Sequence, residues 1–369
     1  MNPTIEVMGI RVRRLVVPLR RALATSFGTF TEGPFLAVEV QCKGGISGRL
    51  IGFTFHKLGL KLVPEVLEHL VAQTKGRPIH FEDMAAFHDA CQKSLMLLGH
   101  EGVTQMGLSM FDMALHDALA QAAGVPLWTL LGGKRGPIAS YNSCGLGILS
   151  PQDAAKQARE LASEHGGFAH IKMRLGRPSL VADITAIKAV REAIGPNIAL
   201  SVDFNQALPS PSALETCRAL DGLGLAWVEE PVVFDDFETQ ARLAAKLATP
   251  LQIGETWWHW RVAKRAIDMR AGDYIMPDIL RIGGVTGWMR TARAAALASV
   301  PFSSHLSPEY SAHLLAATPT AHWLEYMDWA QDLIDDPVIP VKGFATPKNT
   351  PGAGITFNEA AIAKRVVSP

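Results

Sequence analysis

Cysteine is scarce in this sequence of 369 residues, and the four cysteines are far apart: Cys42, Cys91, Cys144 and Cys217. No two of them form a closely spaced pair, which argues against a disulfide framework or a cysteine zinc site and favours a reducing compartment. The N-terminal stretch MNPTIEVMGIRVRRL contains no apolar segment long enough for a signal peptide. We therefore expect a cytoplasmic protein.

An excess of charge of one sign is also absent, because 35 Lys and Arg residues balance 35 Asp and Glu residues. Nothing in this balance favours nucleic acid or an anionic membrane surface as a partner. No apolar run approaches the length of about 18 residues that suggests a membrane span. Hydrophobic residues make up 48% of the chain, an ordinary core-forming share. The length predicts two domains, or one large barrel with a smaller partner.

The pattern of the sequence changes near residue 130. Residues 1–130 mix strand-like runs with helical stretches, and the last helix should stop at Gly124, just before Pro126. Beyond this point short apolar runs alternate with helix-like stretches, which predicts a parallel sheet. Eight such runs suggest a small (β/α)8-type barrel, with a doubly wound open sheet as the alternative. The runs are IASYNS, FAHIKM, IALSVDF, LAWVEE, PLQIGE, DYIMPD, VPFSSH and AHWLEY.

Ionisable residues end most of these runs, at the edge where barrel enzymes place their chemistry. Asp203, Glu229 and Glu255 end three successive runs, 26 residues apart each time. Three converging carboxylates repel one another unless a cation joins them, and an all-oxygen set suits Mg²⁺. The alternative is a set of ordinary loop carboxylates paired with arginines. Glu230 should face away from Glu229 and form a salt bridge.

Asp278, His305 and Glu325 end the last three runs. A carboxylate beside an imidazole fixes its tautomer and raises its basicity, although such a pair can also be purely structural. A protonated glutamic acid could donate a hydrogen bond to a developing oxyanion, whereas the alternative for Glu325 is a salt bridge to Lys172. In the second run, HIKMRLG, the alternation of strand side chains places Lys172 and Arg174 on the same face.

Seven motifs in order resemble the mandelate racemase branch of the enolase superfamily, the mandelate racemase/muconate lactonizing enzyme family. They are KMR, VDFNQ, WVEEP, IGE, MPDILRIGGVTGW, SSHL and SAHLLAATPTAHWLE. The resemblance covers nearly the whole chain. It implies an α/β fold, with an α+β capping domain over 1–130, a TIM-type (β/α)7β barrel over 131–325, and a segment over 326–369 that packs back on the capping domain. It also implies a Mg²⁺ cofactor, a small carboxylate substrate and a homo-oligomer.

The resemblance further implies a role for each matching residue. Removal of the hydrogen α to a carboxylate creates an enediolate, whose developing charge needs stabilisation by cations and hydrogen-bond donors. The matching residues are Asp203, Glu229 and Glu255 as Mg²⁺ ligands, His305 with Asp278 as the base, Lys172 beside the substrate carboxylate, Asn205 and Ser143 as polar contacts, and Glu325 as the electrophile that hydrogen-bonds the carboxylate oxygen.

Arg174 departs from the family pattern, which usually has a lysine as the second base at this position. Arginine holds its proton at neutral pH, since its free pKa lies above about 12. If Arg174 still shuttles a proton, we expect racemisation or epimerisation of a 2-hydroxy acid, the favoured interpretation. If it is a cationic clamp, His305 is the single base and we expect dehydration of an acid sugar. A metal-dependent barrel hydrolase and a metal-binding protein without catalysis are competing hypotheses.

Two loops of the capping domain, residues 19–30 and 52–59, correspond to the loops that set specificity in this family. They supply Phe27, Phe53 and His56 as candidate substrate contacts. Their aromatic residues, with the three tryptophans of TWWHW after Glu255, would suit an apolar or aryl 2-hydroxy acid. Their cations would instead suit a polyol acid or a second carboxylate. Core packing would also explain the aromatic residues, and solvent exposure would explain the cations.

Overall fold

The computed structural model describes residues 2–368, which form a mixed α/β fold with two main sheets. The N-terminal sheet is antiparallel with strand order β3-β2-β1-β4, and the second is a curled parallel sheet with order β10-β9-β8-β7-β6-β5-β11. The strands are β1 Thr4–Thr25, β2 Gly28–Cys42, β3 Ser47–Phe53, β4 Pro78–His80, β5 Ile138–Asn142, β6 His170–Arg174, β7 Ala199–Asp203, β8 Val228–Glu229, β9 Leu251–Ile253, β10 Tyr274–Ile275, β11 Leu324–Tyr326 and β12 Phe344–Ala345.

Helices cover the N-terminal sheet and separate the strands of the parallel sheet. They are α1 Gly59–Thr74, α2 Met84–Ser94, α3 Val103–Ala122, α4 Leu127–Leu130, α5 Pro151–Ser163, α6 Leu180–Ile194, α7 Ser210–Arg218, α8 Phe237–Ala244, α9 Trp260–Asp268, α10 Ile279–Ile282, α11 Gly284–Ala298, α12 Pro308–Ala316 and α13 Glu359–Ala363. No helix within residues 2–368 is long and apolar enough to cross a membrane.

The expected loop over residues 19–30 is for the most part the tip of a long hairpin. Strand β1 continues to Thr25, and after a register shift between Pro18 and Leu23 the pairs Leu23–Phe30 and Thr25–Gly28 extend β1 and β2 to the tip. The hydroxyl of Ser26 at the tip donates a hydrogen bond to the backbone oxygen of Asn205, 2.9 Å away. The tip therefore lies over the carboxyl end of β7.

Helix α3 joins the two halves of the fold and is buried along most of its length. It packs against β3 and α1 on the N-terminal side and against α10 and α11 on the other side. The carboxylate of Asp112 accepts hydrogen bonds from the backbone N–H of Thr286 at 2.9 Å and from its hydroxyl at 2.6 Å. Because both sides of α3 are covered, its apolar residues do not form a single stripe.

The predicted alternation of strands and helices is confirmed for seven of the eight runs, each of which contains a strand of the parallel sheet. The run VPFSSH is different, because it forms isolated bridges instead of a strand. Phe302 bridges Ile275 on one side and Ala321 on the other, both in parallel orientation. Residues 301–304 thus connect the β10 edge of the sheet with the chain that leads into β11.

The C-terminal residues contact both halves of the molecule. Strand β12 pairs antiparallel with β5, and Val366 forms an antiparallel bridge with Leu15 of β1. The four cysteines are buried and unpaired.

Candidate functional site

The three predicted metal ligands lie together at the carboxyl ends of neighbouring strands. Asp203 is the last residue of β7 and pairs in register with Glu229, the last residue of β8. Glu255 follows β9, two residues beyond its end. All three side chains are buried, and one ligand oxygen from each lies within 4.8 Å of the other two. Parallel strands in matched register therefore place the carboxylates where one cation could bind all three.

Lys172 lies among these carboxylates and is itself buried. Its Nζ atom is 3.4 Å from Asp203 and 2.8 Å from Glu325, and it forms an ion pair with Glu229. Burial lowers the pKa of Lys172, but Glu229, Glu325 and Asp203 outweigh that effect and raise the pKa well above its ordinary value. The ammonium group is therefore a permanent positive charge at the floor of the site.

One lysine does not balance the negative charge of the triad. Burial raises the pKa of Glu229 to about 8, while Lys172 acts to lower it and Asp203, Glu325 and Glu255 act to raise it. A buried group of this kind needs further positive charge to stay ionised. The all-oxygen donor set and the charge imbalance both fit Mg²⁺, which would be held by Asp203, Glu229 and Glu255.

His305 and Asp278 form the predicted pair. The Nδ1 atom of His305 is 2.7 Å from an Asp278 carboxylate oxygen, and the Nε2 atom is 3.4 Å from Glu255. The other oxygen of Asp278 accepts from the backbone N–H of Leu280 at 2.7 Å, which fixes the carboxylate at the start of α10. Burial lowers the pKa of His305, but Glu255, Glu325 and Asp278 outweigh it and raise the pKa to about 9. The imidazole is oriented with Nε2 towards the carboxylate triad.

Glu325 forms the salt bridge to Lys172 that was the alternative to its predicted role as an electrophile. Its second oxygen accepts a hydrogen bond from the backbone N–H of Leu306 at 3.0 Å. Burial raises the pKa of Glu325, but Lys172 and His305 outweigh that effect and hold the pKa below its usual range. In this arrangement Glu325 is a carboxylate and accepts hydrogen bonds.

Arg174 is held firmly by the chain that follows β5. Its guanidinium donates hydrogen bonds to the backbone oxygens of Ser143 and Gly145, at 3.0 and 2.7 Å, and to the Ser143 hydroxyl at 2.8 Å. Ser143 therefore contacts the Arg174 guanidinium through its backbone oxygen and its hydroxyl, and helps to position it. Lys172 and Arg174 line the same cavity, as the strand alternation predicted.

A cavity of about 410 Å³ opens above the triad. The predicted substrate contacts Phe27, Phe53, His56 and Asn205 all line it, whereas Ser143 is not among its described lining residues. Most of the wall is apolar. It comes from the hairpin tip, from the loop over residues 52–59, from Leu306 and from the chain that follows β11. The apolar lining residues are Leu23, Phe27, Phe30, Phe53, Phe55, Leu306, Met327 and Trp329.

The arginine and lysine side chains of the loops over residues 19–30 and 52–59 lie outside the cavity. Arg20 pairs with Asp332, Arg21 with Glu164 and Lys57 with Glu32. None of the three is among the described lining residues of the cavity, and the same holds for the tryptophans of TWWHW. Carboxylates outside the cavity hold the three cations, and the part of these cations and tryptophans in substrate binding stays a prediction.

Glu230 does not form the expected salt bridge within residues 2–368. It is buried, and one carboxylate oxygen accepts a hydrogen bond from the backbone N–H of Gly254 at 2.6 Å. Glu230 has a positive φ of 38°, so the chain turns sharply after Glu229. This turn carries the side chain inward, towards β9.

Sequence reasoning missed Arg281, which lines the cavity. Its guanidinium lies 3.7 Å from the centre of the Phe55 ring and donates hydrogen bonds to the Glu255 backbone oxygen and the Thr256 hydroxyl, at 2.9 and 3.0 Å. Arg281 therefore connects Phe55, in the loop over residues 52–59, with Glu255 and Thr256 after β9. Its place three residues after Asp278, in the first turn of a helix, was the available signal.

Comparison with known proteins agrees with this arrangement. Residues 7–132 match the mandelate racemase/muconate lactonizing enzyme N-terminal domain, and residues 153–361 match the enolase C-terminal domain-like family. The crystal structure of an enolase from Bradyrhizobium, complexed with magnesium and mandelic acid, superposes with a TM-score of 0.92 at 37% sequence identity and covers 99% of both chains.

Curated relatives include enzymes of two reaction types. The L-talarate/galactarate dehydratase of Salmonella typhimurium is 29% identical over 90% of this chain and 82% of its own length. The N-succinyl-L-Arg/Lys racemase of Bacillus cereus is 26% identical over 80% of this chain and 78% of its own length. The relatives thus share a family and differ in whether they racemise or dehydrate.

Proposed function

The chain belongs to the mandelate racemase/muconate lactonizing enzyme family of the enolase superfamily, and from this premise we propose that it racemises an apolar 2-hydroxy acid. It is a Mg²⁺-dependent enzyme, like its relatives. The observation that carries the proposal is the apolar wall of the cavity above the His305–Asp278 pair and the carboxylate triad.

The reaction begins with removal of the proton at C2. The C2–H bond breaks, the proton passes to Nε2 of His305, and the electron pair moves into the carboxylate to give an enediolate. Asp278 keeps Nδ1 engaged, so that Nε2 is the nitrogen that exchanges protons. Lys172 supplies a fixed positive charge near the carboxylate oxygens. When bound by the triad, Mg²⁺ would stabilise the same developing charge.

The cavity wall supports an apolar substituent at C2. The phenylalanine rings offer no hydrogen-bond partners for a chain of hydroxyl groups, whereas an aryl or alkyl group would be buried against them and against the Trp329 ring. The mandelic acid bound by the Bradyrhizobium relative is a carboxylate of this kind. Return of a proton to the second face of C2 would fall to Arg174, which lines the same cavity.

Dehydration of an acid sugar is the second candidate, and the contacts of Arg174 favour it. The three hydrogen bonds of its guanidinium go to oxygen atoms of Ser143 and Gly145, which hold the group in place as a clamp. His305 would then act first as base at C2 and afterwards as acid for the hydroxyl that leaves C3. The Salmonella relative is a dehydratase of this substrate class by name.

Proton NMR in D2O with Mg²⁺ distinguishes the two reactions. Each enantiomer of mandelate and of other apolar 2-hydroxy acids is offered separately, followed by a panel of acid sugars. Racemisation predicts deuterium at C2 with formation of the opposite enantiomer. A 2-keto product from an acid sugar, with no exchange in any apolar acid, would establish dehydration instead. If no substrate shows either deuterium exchange at C2 or a 2-keto product, the proposal is contradicted.

Three structural expectations accompany the proposed function. Residues 301–304 would complete a (β/α)7β barrel, supported by the bridges of Phe302 to both sides. Residues 1–130, 131–325 and 326–369 would be the capping domain, the barrel and the returning segment. A cytoplasmic location and a homo-oligomer stay predictions.

A further inference from the structure

Glu229 differs from Asp203 in that one of its carboxylate oxygens accepts two side-chain hydrogen bonds. Trp227 donates its indole N–H to Oε2 of Glu229 at 2.9 Å, and Gln252 donates its side-chain N–H to the same oxygen at 3.1 Å. All three side chains are buried. The other oxygen, Oε1, faces Lys172 inside the triad. Asp203, by contrast, accepts from Asn205 at both of its oxygens.

The strand geometry explains why both donors reach one oxygen. Trp227 is two residues before Glu229 in the chain, so both side chains point to the same face of the sheet. Gln252 is the in-register partner of Glu229 on β9. One donor therefore approaches from the same strand and the other from the neighbouring strand. A carboxylate oxygen has two lone-pair directions, and these two donors occupy both of them.

We propose that Trp227 and Gln252 are positioning residues that restrict Glu229 to binding the metal through Oε1 alone, and so favour Mg²⁺ over Ca²⁺. The inference rests on the metal centre of the proposed function. Mg²⁺ requires near-octahedral coordination at short distances, with one oxygen from each ligand, whereas Ca²⁺ accepts more oxygens and often binds a carboxylate through both. Because two protein donors occupy both lone-pair directions of Oε2, this oxygen has none left for a larger ion, whereas each Asp203 oxygen accepts one hydrogen bond from Asn205.

Packing alone would account for Trp227 without this role, because its ring lies edge-on to His170 with the ring centres 4.4 Å apart. A buried indole N–H also usually finds some partner. The two explanations predict different effects on the ratio of the dissociation constants for Mg²⁺ and Ca²⁺. A packing role affects stability and weakens both ions together, whereas a positioning role changes the preference between them.

The test is isothermal titration calorimetry of the full chain, stripped with chelator, with MgCl2 and CaCl2 and without substrate. The variants are Gln252→Leu, Trp227→Phe and their combination. Loss of such outer contacts typically costs about 10–100-fold in metal affinity. We expect a loss of Mg²⁺ affinity in this range for the double variant, with a much smaller loss for Ca²⁺. The preference for Mg²⁺ should then shrink by about tenfold or more.

Matched controls exist in the same chain. Gln240 is buried and donates to the Val233 backbone oxygen, and Trp288 is buried and donates to the Thr318 hydroxyl, both outside the metal site. Gln240→Leu and Trp288→Phe should leave the ratio of the two dissociation constants unchanged. If Trp227→Phe fails to fold, Gln252→Leu alone should still move the ratio in the same direction.

An unchanged ratio in folded Gln252→Leu, or equal weakening of both ions, would overturn the inference and leave the metal centre intact. A wild-type protein that binds neither ion would instead remove the metal centre, and this inference with it.

Discussion

The Nδ1 atom of His305 lies 2.7 Å from Asp278, and a backbone bridge between the same two residues keeps them in register. The bridge and the hydrogen bond together therefore fix the imidazole before any substrate binds. Since Asp278 also accepts from the Leu280 N–H, its carboxylate has little freedom to rotate. The orientation of the imidazole follows from the backbone, and its proton affinity follows from the surrounding carboxylates.

Replacement of Asp278 by Asn should slow proton exchange at C2 without unfolding the protein. The amide cannot accept the Nδ1 proton as a carboxylate does, so Nε2 becomes a weaker base. We expect exchange to fall by about 10²–10⁴-fold, the usual contribution of a general base. The rate of proton exchange at C2 is measured by proton NMR in D2O. Asp236→Asn is the control, because Asp236 caps α8 and Asn caps a helix equally well. Equal rates in Asp278→Asn and wild type would show that the pair is structural.

Arg174→Met should affect the two enantiomers unequally if Arg174 carries the proton on the second face of C2. Exchange should fall by about 10²-fold or more for one enantiomer and much less for the other. Arg174→Lys should restore the lost exchange, because lysine can release a proton far more readily than arginine. NMR with each enantiomer measures this. A uniform decrease for both enantiomers in Arg174→Met would identify the guanidinium as a clamp.

Gly48→Ala should destabilise the fold severely. A Cβ atom at this position in β3 would lie 1.8 Å from the backbone oxygen of Ala114 in α3, and a backbone atom cannot move away cheaply. We expect a loss of about 3 kcal/mol or more in the free energy of unfolding, measured by urea denaturation. Gly136→Ala is the control, since nothing lies within 4 Å of its Cβ position, and should change stability by less than about 0.5 kcal/mol. Similar stabilities of the two variants would show that β3 and α3 can separate easily.

His170 should make the protein less stable in acid. Burial lowers its pKa to about 3 in the folded state, with His322 and Lys172 acting in the same direction. Because the unfolded histidine has a pKa near 6.5, the unfolded chain binds the proton more strongly. Stability is therefore lost as the pH falls below about 6.5 and continues to fall until about pH 3. Between pH 7 and pH 5 this group should account for a loss of about 2 kcal/mol.

Denaturant titrations of wild type and His170→Gln at both pH values measure this contribution. The variant should lose about 2 kcal/mol less than wild type between pH 7 and pH 5. The exposed His69 offers a matched control, and His69→Gln should follow the wild-type curve. A His170→Gln curve parallel to wild type would contradict the assignment.

Much of the site was predictable because strand ends are visible in a sequence. The spacing of Asp203, Glu229 and Glu255 follows from one strand and one helix per repeat, and parallel strands bring their ends to one edge. The pairing of His305 with Asp278 followed from the same argument. Alternation within β6 correctly placed Lys172 and Arg174 on a common face.

Contacts between distant segments could not be predicted in this way. Trp227 and Gln252 meet on one oxygen of Glu229 only because β8 and β9 pair in a particular register. Arg281 reaches Phe55 only because the N-terminal sheet folds over the carboxyl ends of the parallel strands. Register and domain placement depend on the packing of the whole chain.

The repeating α/β architecture, the carboxylate triad and the histidine–aspartate pair were predictable from local patterns, since each depends on periodicity and on the ends of local elements. The apolar character of the cavity, the partners of Arg174 and Glu325, and the position of Arg20, Arg21 and Lys57 outside the cavity emerge only from the packed fold. Those outcomes depend on which side chains compete for the same partner in space, and a linear pattern does not record that competition.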